Sequence, residues 1–139
     1  MEYRRFNDTY VIRMDRGEEI MSCLTDLCQR EDIRLGYVEA IGAVDRAVVG
    51  LYDVVNKVYR KQAFHEPMEM TSLLGTVTSK GGQVYLHLHV TLTDENMLAH
   101  GGHVNSLTIG GTCEMILRTL PGEVSRRLDD ATGLNLFDF

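Results

Sequence analysis

Tyr85-Leu86-His87-Leu88-His89-Val90-Thr91-Leu92 is the most informative stretch of the sequence, because apolar and polar residues alternate strictly along it. Alternation with a period of two predicts a β-strand that is buried on one face only. Side chains two positions apart share a face of the strand. The aliphatic residues therefore point towards the core, and the polar face carries two adjacent imidazoles.

Two neighbouring histidines on a strand indicate a metal site, because neutral imidazole is the commonest nitrogen donor to divalent metals. Four of the five histidines lie between His87 and His103, and His103 directly follows Gly101-Gly102, where the backbone can approach closely. We predict that His87, His89 and His103 bind one divalent ion. Zinc is the first candidate, and nickel, copper and iron(II) also accept imidazole. The alternative is an exposed histidine pair that holds no metal.

Three histidine ligands leave a fourth tetrahedral position for water or a small polar ligand. Five further residues are candidates for a second layer around the ion or for a ligand pocket: Tyr85, Thr91, His100, Glu69 and Glu114. Tyr85 and Thr91 share the histidine face of the strand. Glu69 and Glu114 lie in other predicted strands and could accept a hydrogen bond from an imidazole N–H. The alternative for both carboxylates is solvation or an intersubunit hydrogen bond, and the role of His100 stays open.

The sequence assigns no reaction to this site. A metal-bound water beside a carboxylate would make hydrolysis or hydration physically feasible. The spacing fixes no second acid or base, however, and neither a nucleophile elbow nor a phosphate-cradling glycine loop with lysine is present. A metal-dependent enzyme of unknown substrate is therefore an alternative to a metal-binding domain.

Length and composition predict one soluble domain over residues 1–139, with 44% hydrophobic and 24% charged residues. No apolar run approaches the roughly 20 residues of a membrane helix, and the N-terminal Met1–Phe6 lacks the apolar segment of a signal peptide. The three cysteines are odd in number and show no CxxC spacing. We therefore predict reduced thiols in a cytoplasmic protein.

The net charge of −6 argues against nucleic acid as a direct partner. Binding to a polyanion depends on lysine and arginine side chains that displace counterions from phosphate. Here the basic residues are scattered, with short clusters at Arg4-Arg5, Arg60-Lys61 and Arg126-Arg127 only. Direct nucleic-acid binding by the isolated chain is not expected.

Periodicity predicts an α+β fold: a mainly antiparallel sheet with one long amphipathic helix packed against it. Apolar residues recur at helical spacing over Arg16–Glu31, and Asp15 with Glu18 resembles a capping box. The predicted strands are Tyr3–Phe6, Thr9–Arg13, Arg34–Ile41, Arg46–Asp53, Lys57–Phe64, Met70–Thr78, Gln83–Thr93 and Thr112–Leu120. Short connections such as Lys80-Gly81-Gly82 favour antiparallel neighbours. We place His103, within the ambiguous Met97–Leu107, on a loop or short helical turn.

Several segments together resemble the signature of the plant and prokaryote conserved (PPC) domain. They are Leu86–Val90, Gly101–Val104, Thr112–Ile116, Arg13 with Gly17–Ile20, Glu69–Gly75 and Asp129–Leu134. The resemblance covers nearly the whole chain, and the order and spacing of the pieces make it specific.

This resemblance implies a homotrimer of α+β subunits. In plants the domain is attached to AT-hook motifs that bind A·T-rich DNA, whereas stand-alone prokaryotic members lack the hook and some carry a metal at the family histidines. Those histidines match His87, His89 and His103. This chain has no AT-hook, which weakens the case for an inherited DNA-binding role. The alternative to a metal-binding domain is a DNA-associated regulator or an oligomerisation module.

Overall fold

Nine β-strands and one α-helix follow one another along the chain, and the computed structural model describes all residues from 1 to 139. The elements are β1 (Glu2–Phe6), β2 (Thr9–Asp15), α1 (Ile20–Arg30), β3 (Gly36–Asp53), β4 (Val58–Phe64), β5 (Met68–Lys80), β6 (Gln83–Thr93), β7 (Ala99–Thr119), β8 (Ser125–Leu128) and β9 (Asn135–Asp138). Every strand pairing is antiparallel, which confirms the predicted mainly antiparallel sheet. The helix lacks the length and apolar character that a membrane span requires.

Seven strands form one sheet in the order β1-β2-β7-β6-β5-β3-β4, and β7 also pairs with β3. The strands β3, β5, β6 and β7 therefore close a ring in which each strand is hydrogen-bonded to the next. Closure depends on the 21-residue β7, whose successive parts pair with β6, β3 and β2. The strands β8 and β9 form a separate hairpin.

The prediction of a long helix over Arg16–Glu31 is wrong, because α1 has 11 residues and begins at Ile20. Asp15 lies at the end of β2 and does not cap the helix. The carboxylate of Glu18 accepts a hydrogen bond from the Asp15 amide at 2.8 Å and also binds the N-terminal ammonium. Gly17 has φ +90°, which an α-helix does not accommodate. These contacts hold the segment before Glu19 in a turn.

Glu19 is the residue that caps the helix. Its side chain accepts hydrogen bonds from the amides of Met21 and Ser22, which lack partners within the helix. It also accepts from the Leu107 amide of β7 at 3.1 Å, so the cap ties the helix to the sheet. The predicted apolar face is buried as expected, through Ile20, Leu24, Leu27 and Cys28. All three cysteines are free.

Two predicted breaks in the strands are absent from the structure. The separate strands Arg34–Ile41 and Arg46–Asp53 are one 18-residue strand, β3, whose register shifts beyond Gly42. The segment around His103 belongs to β7 and is neither a loop nor a helical turn. A Cβ at Gly101 would lie 2.3 Å from the Val90 carbonyl oxygen. The glycines thus allow strands to pack closely, where the sequence suggested an interruption.

The alternating stretch of β6 anchors the core. Leu86, Leu88, Val90 and Leu92 all belong to one cluster of 27 buried apolar residues that also contains the apolar face of α1. The predicted turn between β5 and β6 is confirmed, because Gly81 and Gly82 both have positive φ, at +57° and +76°. The polar face of β6, which carries His87 and His89, consequently points away from the core, on a strand that lies between β5 and β7.

Candidate metal centre

The pairing of β6 with β7 brings three histidines together. His87 and His89 lie two positions apart on β6, and His103 on β7 is directly opposite His89 in the antiparallel register. Directly paired residues share a face of the sheet. The ring centroids are 5.1 Å apart for His87 and His89, 5.2 Å for His87 and His103, and 5.5 Å for His89 and His103. The three imidazoles therefore form a compact triad.

The spacing of the ring nitrogens fits a metal ion. One potential ligand nitrogen from each histidine lies within 4.8 Å of the others, and the Nε2 atoms of His87 and His89 are 3.3 Å apart. Zinc–nitrogen bonds of about 2.0–2.1 Å put tetrahedral ligands roughly 3.4 Å from one another. The His87–His89 pair already has this separation, and the third imidazole offers a nitrogen within 4.8 Å of the other two.

The environment keeps two of these imidazoles neutral, which is the form that binds metals. Burial lowers the pKa of His87 to about 4, with smaller contributions from electrostatic repulsion by His103, Arg126 and His89. Burial also lowers the pKa of His103, with a contribution from His89. No carboxylate hydrogen-bonds to any of the three rings. The unprotonated nitrogens of His87 and His103 are thus available at neutral pH.

Tyr59 of β4 packs beside the triad, a neighbour that sequence reasoning missed. Its ring meets the His103 ring edge-on, with centroids 6.2 Å apart, and its hydroxyl accepts a hydrogen bond from Asn105 Nδ2 at 2.7 Å. A Cβ at Gly50 would lie 2.0 Å from the Tyr59 hydroxyl. Gly50, which is paired with His103 in the sheet, therefore makes the space that this ring occupies.

Arg126 of β8 lies on the other side of the triad and was also missed. Its Nε donates to Thr78 Oγ1 at 2.8 Å, and its guanidinium lies 4.8 Å from the centre of the Tyr85 ring. A second terminal nitrogen lies 3.3 Å from the hydroxyl of Thr76, which pairs directly with His87. The only sequence signal was the Arg126-Arg127 cluster, which suggested surface charge.

Of the five residues expected around the ion, Tyr85 and Thr91 lie on β6 itself, on the same face of the strand as the two histidines. Tyr85 lies two positions before His87 and contacts Arg126. Thr91 lies two positions beyond His89, opposite Gly101. His100 is paired with the core residue Leu92, and its Nε2 lies 2.9 Å from Asp94 Oδ2. The structure thus places His100 outside the triad.

The two glutamates do not contact the triad within the chain. Glu69 is paired with Thr93 near the end of β6, four positions beyond His89. Glu114 lies in the part of β7 that is paired with β2, opposite Arg13. Neither carboxylate accepts a hydrogen bond from an imidazole, so the expected second-layer role of both is not seen in the chain. A local sequence pattern does not show with which part of the sheet these two residues pair.

A broad groove of about 910 Å³ opens on the same sheet, between β1, β2, β7, β3 and β5. Exposed apolar side chains line it, including Phe6, Val11, Ile41 and Leu74. Leu74 is paired directly with His89, so the two side chains share a face. The apolar groove therefore adjoins the histidine triad.

Known structures share this fold along the whole chain. A candidate DNA-binding protein from Bacteroides thetaiotaomicron is 30% identical with a TM-score of 0.97, over 99% of this chain and 96% of its own. A metal-containing protein from Archaeoglobus fulgidus is 32% identical with a TM-score of 0.89, over 99% and 97% of the two chains. A plant- and prokaryote-conserved (PPC) protein from Pyrococcus horikoshii is 25% identical with a TM-score of 0.87, over 99% and 94%.

No functionally curated protein matches the chain in sequence. The family model of the Plants and Prokaryotes Conserved (PCC) domain matches residues 1–121, which include all three histidines of the triad and exclude Arg126. This match, together with the fold, confirms the resemblance that the sequence motifs indicated. The chain belongs to the Plants and Prokaryotes Conserved domain family.

Proposed function

We propose that this chain is a metal-binding domain in which His87, His89 and His103 hold one divalent ion, with zinc as the first candidate. The observation that carries the proposal is the convergence of three imidazole nitrogens within 4.8 Å. The similar protein from Archaeoglobus fulgidus is described as metal-containing, which supports the same chemistry here. Three neutral ligands leave a fourth position to water or a small polar ligand.

Metal analysis of protein purified without an affinity tag tests this proposal. We expect about one transition-metal ion per chain, because three convergent imidazoles bind such ions tightly. The double variant His87→Ala with His89→Ala should lose the ion, since one remaining imidazole binds weakly. The control is His65→Ala, which removes an exposed histidine outside the triad. Equal metal content in the double variant and the wild type would contradict the proposal.

We also propose that the chain assembles into a homotrimer through the apolar groove beside the triad. Phe6 and Ile41 each expose 57% of their surface and Leu74 exposes 48%, and all three line this groove. The groove also contains charged residues such as Arg13 and Glu39, and its exposed apolar part favours association. The number three comes from the family resemblance. Because Leu74 adjoins His89, assembly would bring the metal centre close to a subunit boundary.

Light scattering at micromolar concentration tests the assembly. The expected mass is about 47 kDa, three times the 15.7 kDa of one chain. Ile41→Glu places a charge in the groove and should shift the mass towards that of a monomer. Val55→Glu is the matched control, because Val55 is 90% exposed in the turn between β3 and β4. A wild-type mass near 15.7 kDa would refute self-association.

A DNA-associated role is the second candidate, because the similar Bacteroides thetaiotaomicron protein is described as a candidate DNA-binding protein. The charge of −6 per chain argues against direct contact, and assembly multiplies it. We propose that the isolated chain binds duplex DNA no more tightly than non-specific proteins do, with a Kd of about 10⁻⁶ M or weaker at physiological salt. Titration of A·T-rich and G·C-rich duplexes at two salt concentrations tests this. Sequence-selective binding below micromolar concentration would favour the DNA-associated function.

A further inference from the structure

Arg126 is a buried cation without a counter-charge. Its residue surface is 9% exposed, and its three hydrogen bonds go to neutral acceptors: Thr78 Oγ1, Thr76 Oγ1 and the Asn135 carbonyl oxygen. No aspartate or glutamate forms an ion pair with it, although Arg127 next to it pairs with Asp138. Burial lowers the pKa of Arg126, which reflects the cost of holding this charge away from water.

The guanidinium is held rigidly in place. It is sandwiched between the rings of Tyr85 and Phe137, whose centroids lie 4.8 Å and 4.5 Å from its central carbon. A guanidinium has five N–H groups, and three of them donate to protein acceptors. Two N–H groups, one on each terminal nitrogen, therefore retain the capacity to bind an acceptor. A carboxylate takes up such a pair in a bidentate manner.

The same guanidinium adjoins the histidine triad. It donates to the hydroxyl of Thr76, which lies directly across the sheet from His87, and it covers the ring of Tyr85, two positions before His87. A divalent ion on the triad would add two further positive charges to this face. No carboxylate of the chain contacts the triad or Arg126. With a divalent ion bound to the triad, the site would therefore have a positive charge that no protein group neutralises.

From this arrangement we infer that the site binds a small carboxylate-bearing ligand, with one oxygen on the metal ion and a carboxylate on Arg126. The inference rests on the proposed metal site and specifies the class of ligand that the site takes. A carboxylate there supplies the counter-charge that Arg126 lacks, and the open fourth coordination position accepts another oxygen of the same ligand. Arg126 lies outside residues 1–121, which the family model matches.

Cobalt(II)-loaded protein tests the inference, because the visible absorption of cobalt changes when its fourth ligand is replaced. Malonate carries two carboxylates, one for the metal ion and one for Arg126, whereas malonamide has the same shape without charge. We expect malonate to change the cobalt spectrum with saturable binding and malonamide to leave it unchanged. Equal responses to the two compounds, or no response to malonate, would overturn the inference without any variant.

Variants of the arginine sharpen this test. Arg126→Gln should bind cobalt with unchanged stoichiometry but weaken malonate binding at least tenfold, about 1.4 kcal/mol. Arg126→Lys keeps the positive charge, and its affinity for malonate should lie between those of the wild type and Arg126→Gln. Arg127→Gln removes the same charge from an exposed neighbour and should bind malonate like the wild type. Equal malonate affinity in Arg126→Gln and the wild type would refute the role of Arg126.

Failure of the metal site can be distinguished from failure of this inference. If the wild type binds no cobalt, the proposed metal function is wrong, and the thermal midpoint of the metal-free protein becomes the readout. Malonate should then raise the midpoint of the wild type and of Arg127→Gln but not that of Arg126→Gln. A midpoint that malonate leaves unchanged in the wild type would refute the anion site itself.

Discussion

Gly101→Ala should damage the metal centre although it replaces none of the ligands. Gly101 lies on β7 opposite Thr91, two positions before His103. A Cβ at this position would lie 2.3 Å from the carbonyl oxygen of Val90, which is the neighbour of His89. An ordinary contact between such atoms requires roughly 3.5 Å, so β6 and β7 must separate by roughly 1 Å.

That displacement is large on the scale of a metal site. Ligand distances in a working site lie within about 0.2 Å of their ideal values, so a 1 Å separation of the two strands moves His103 further from the distance that the ion requires. We expect zinc affinity to fall at least tenfold, about 1.4 kcal/mol. The strain should also lower the free energy of unfolding by about 1–3 kcal/mol, as overpacking in a tight interior does.

Competition with a chromophoric chelator measures the zinc affinity, and urea unfolding of the metal-free protein measures the stability. The matched control is Gly111→Ala on the same strand, where the nearest atom to the new Cβ would be the Ala43 Cβ at 3.4 Å. This variant should keep wild-type zinc affinity and change stability by less than about 1 kcal/mol. Wild-type zinc affinity in Gly101→Ala would refute the close strand contact on which this reasoning depends.

Two further predictions concern the support of the triad. Leu88 lies between the two histidines of β6, and its side chain is 0% exposed. Leu88→Ala should therefore lower the free energy of unfolding, measured in urea, by about 3–5 kcal/mol. A decrease of less than about 1 kcal/mol would contradict the place of Leu88 in the core. The pKa of His87 lies at about 4 in the folded protein, below the 6.5 of an ordinary histidine, so the unfolded state binds more protons between these values. The metal-free wild type should therefore lose stability as the pH falls from about 6.5 towards 4, and His87→Gln should lose less stability over the same range. Thermal midpoints of the two proteins measure this difference. Equal pH dependence of the two midpoints would refute the neutral buried state of His87.

Local patterns in the sequence determined the elements that depend on neighbouring residues. Alternation along Gln83–Thr93 predicted β6 with its observed bounds, because a strand buried on one face requires period-two patterning. The glycine pair at the end of β5 predicted a turn, because both residues adopt positive φ. The presence of His87 and His89 on one face follows from the same periodicity.

The tertiary structure decided how these elements meet. His103 lies opposite His89 because of the register between β6 and β7, and the two glycines before it, which a local reading takes for a break, allow that pairing. The start of the helix at Ile20 depends on Glu19 accepting hydrogen bonds from both the helix and Leu107, 88 residues away. Arg126 is connected to the triad through Thr76, which lies 50 residues earlier in the chain and pairs with His87. Such contacts depend on how distant strands pack, and the spacing of residues along the chain does not predict them.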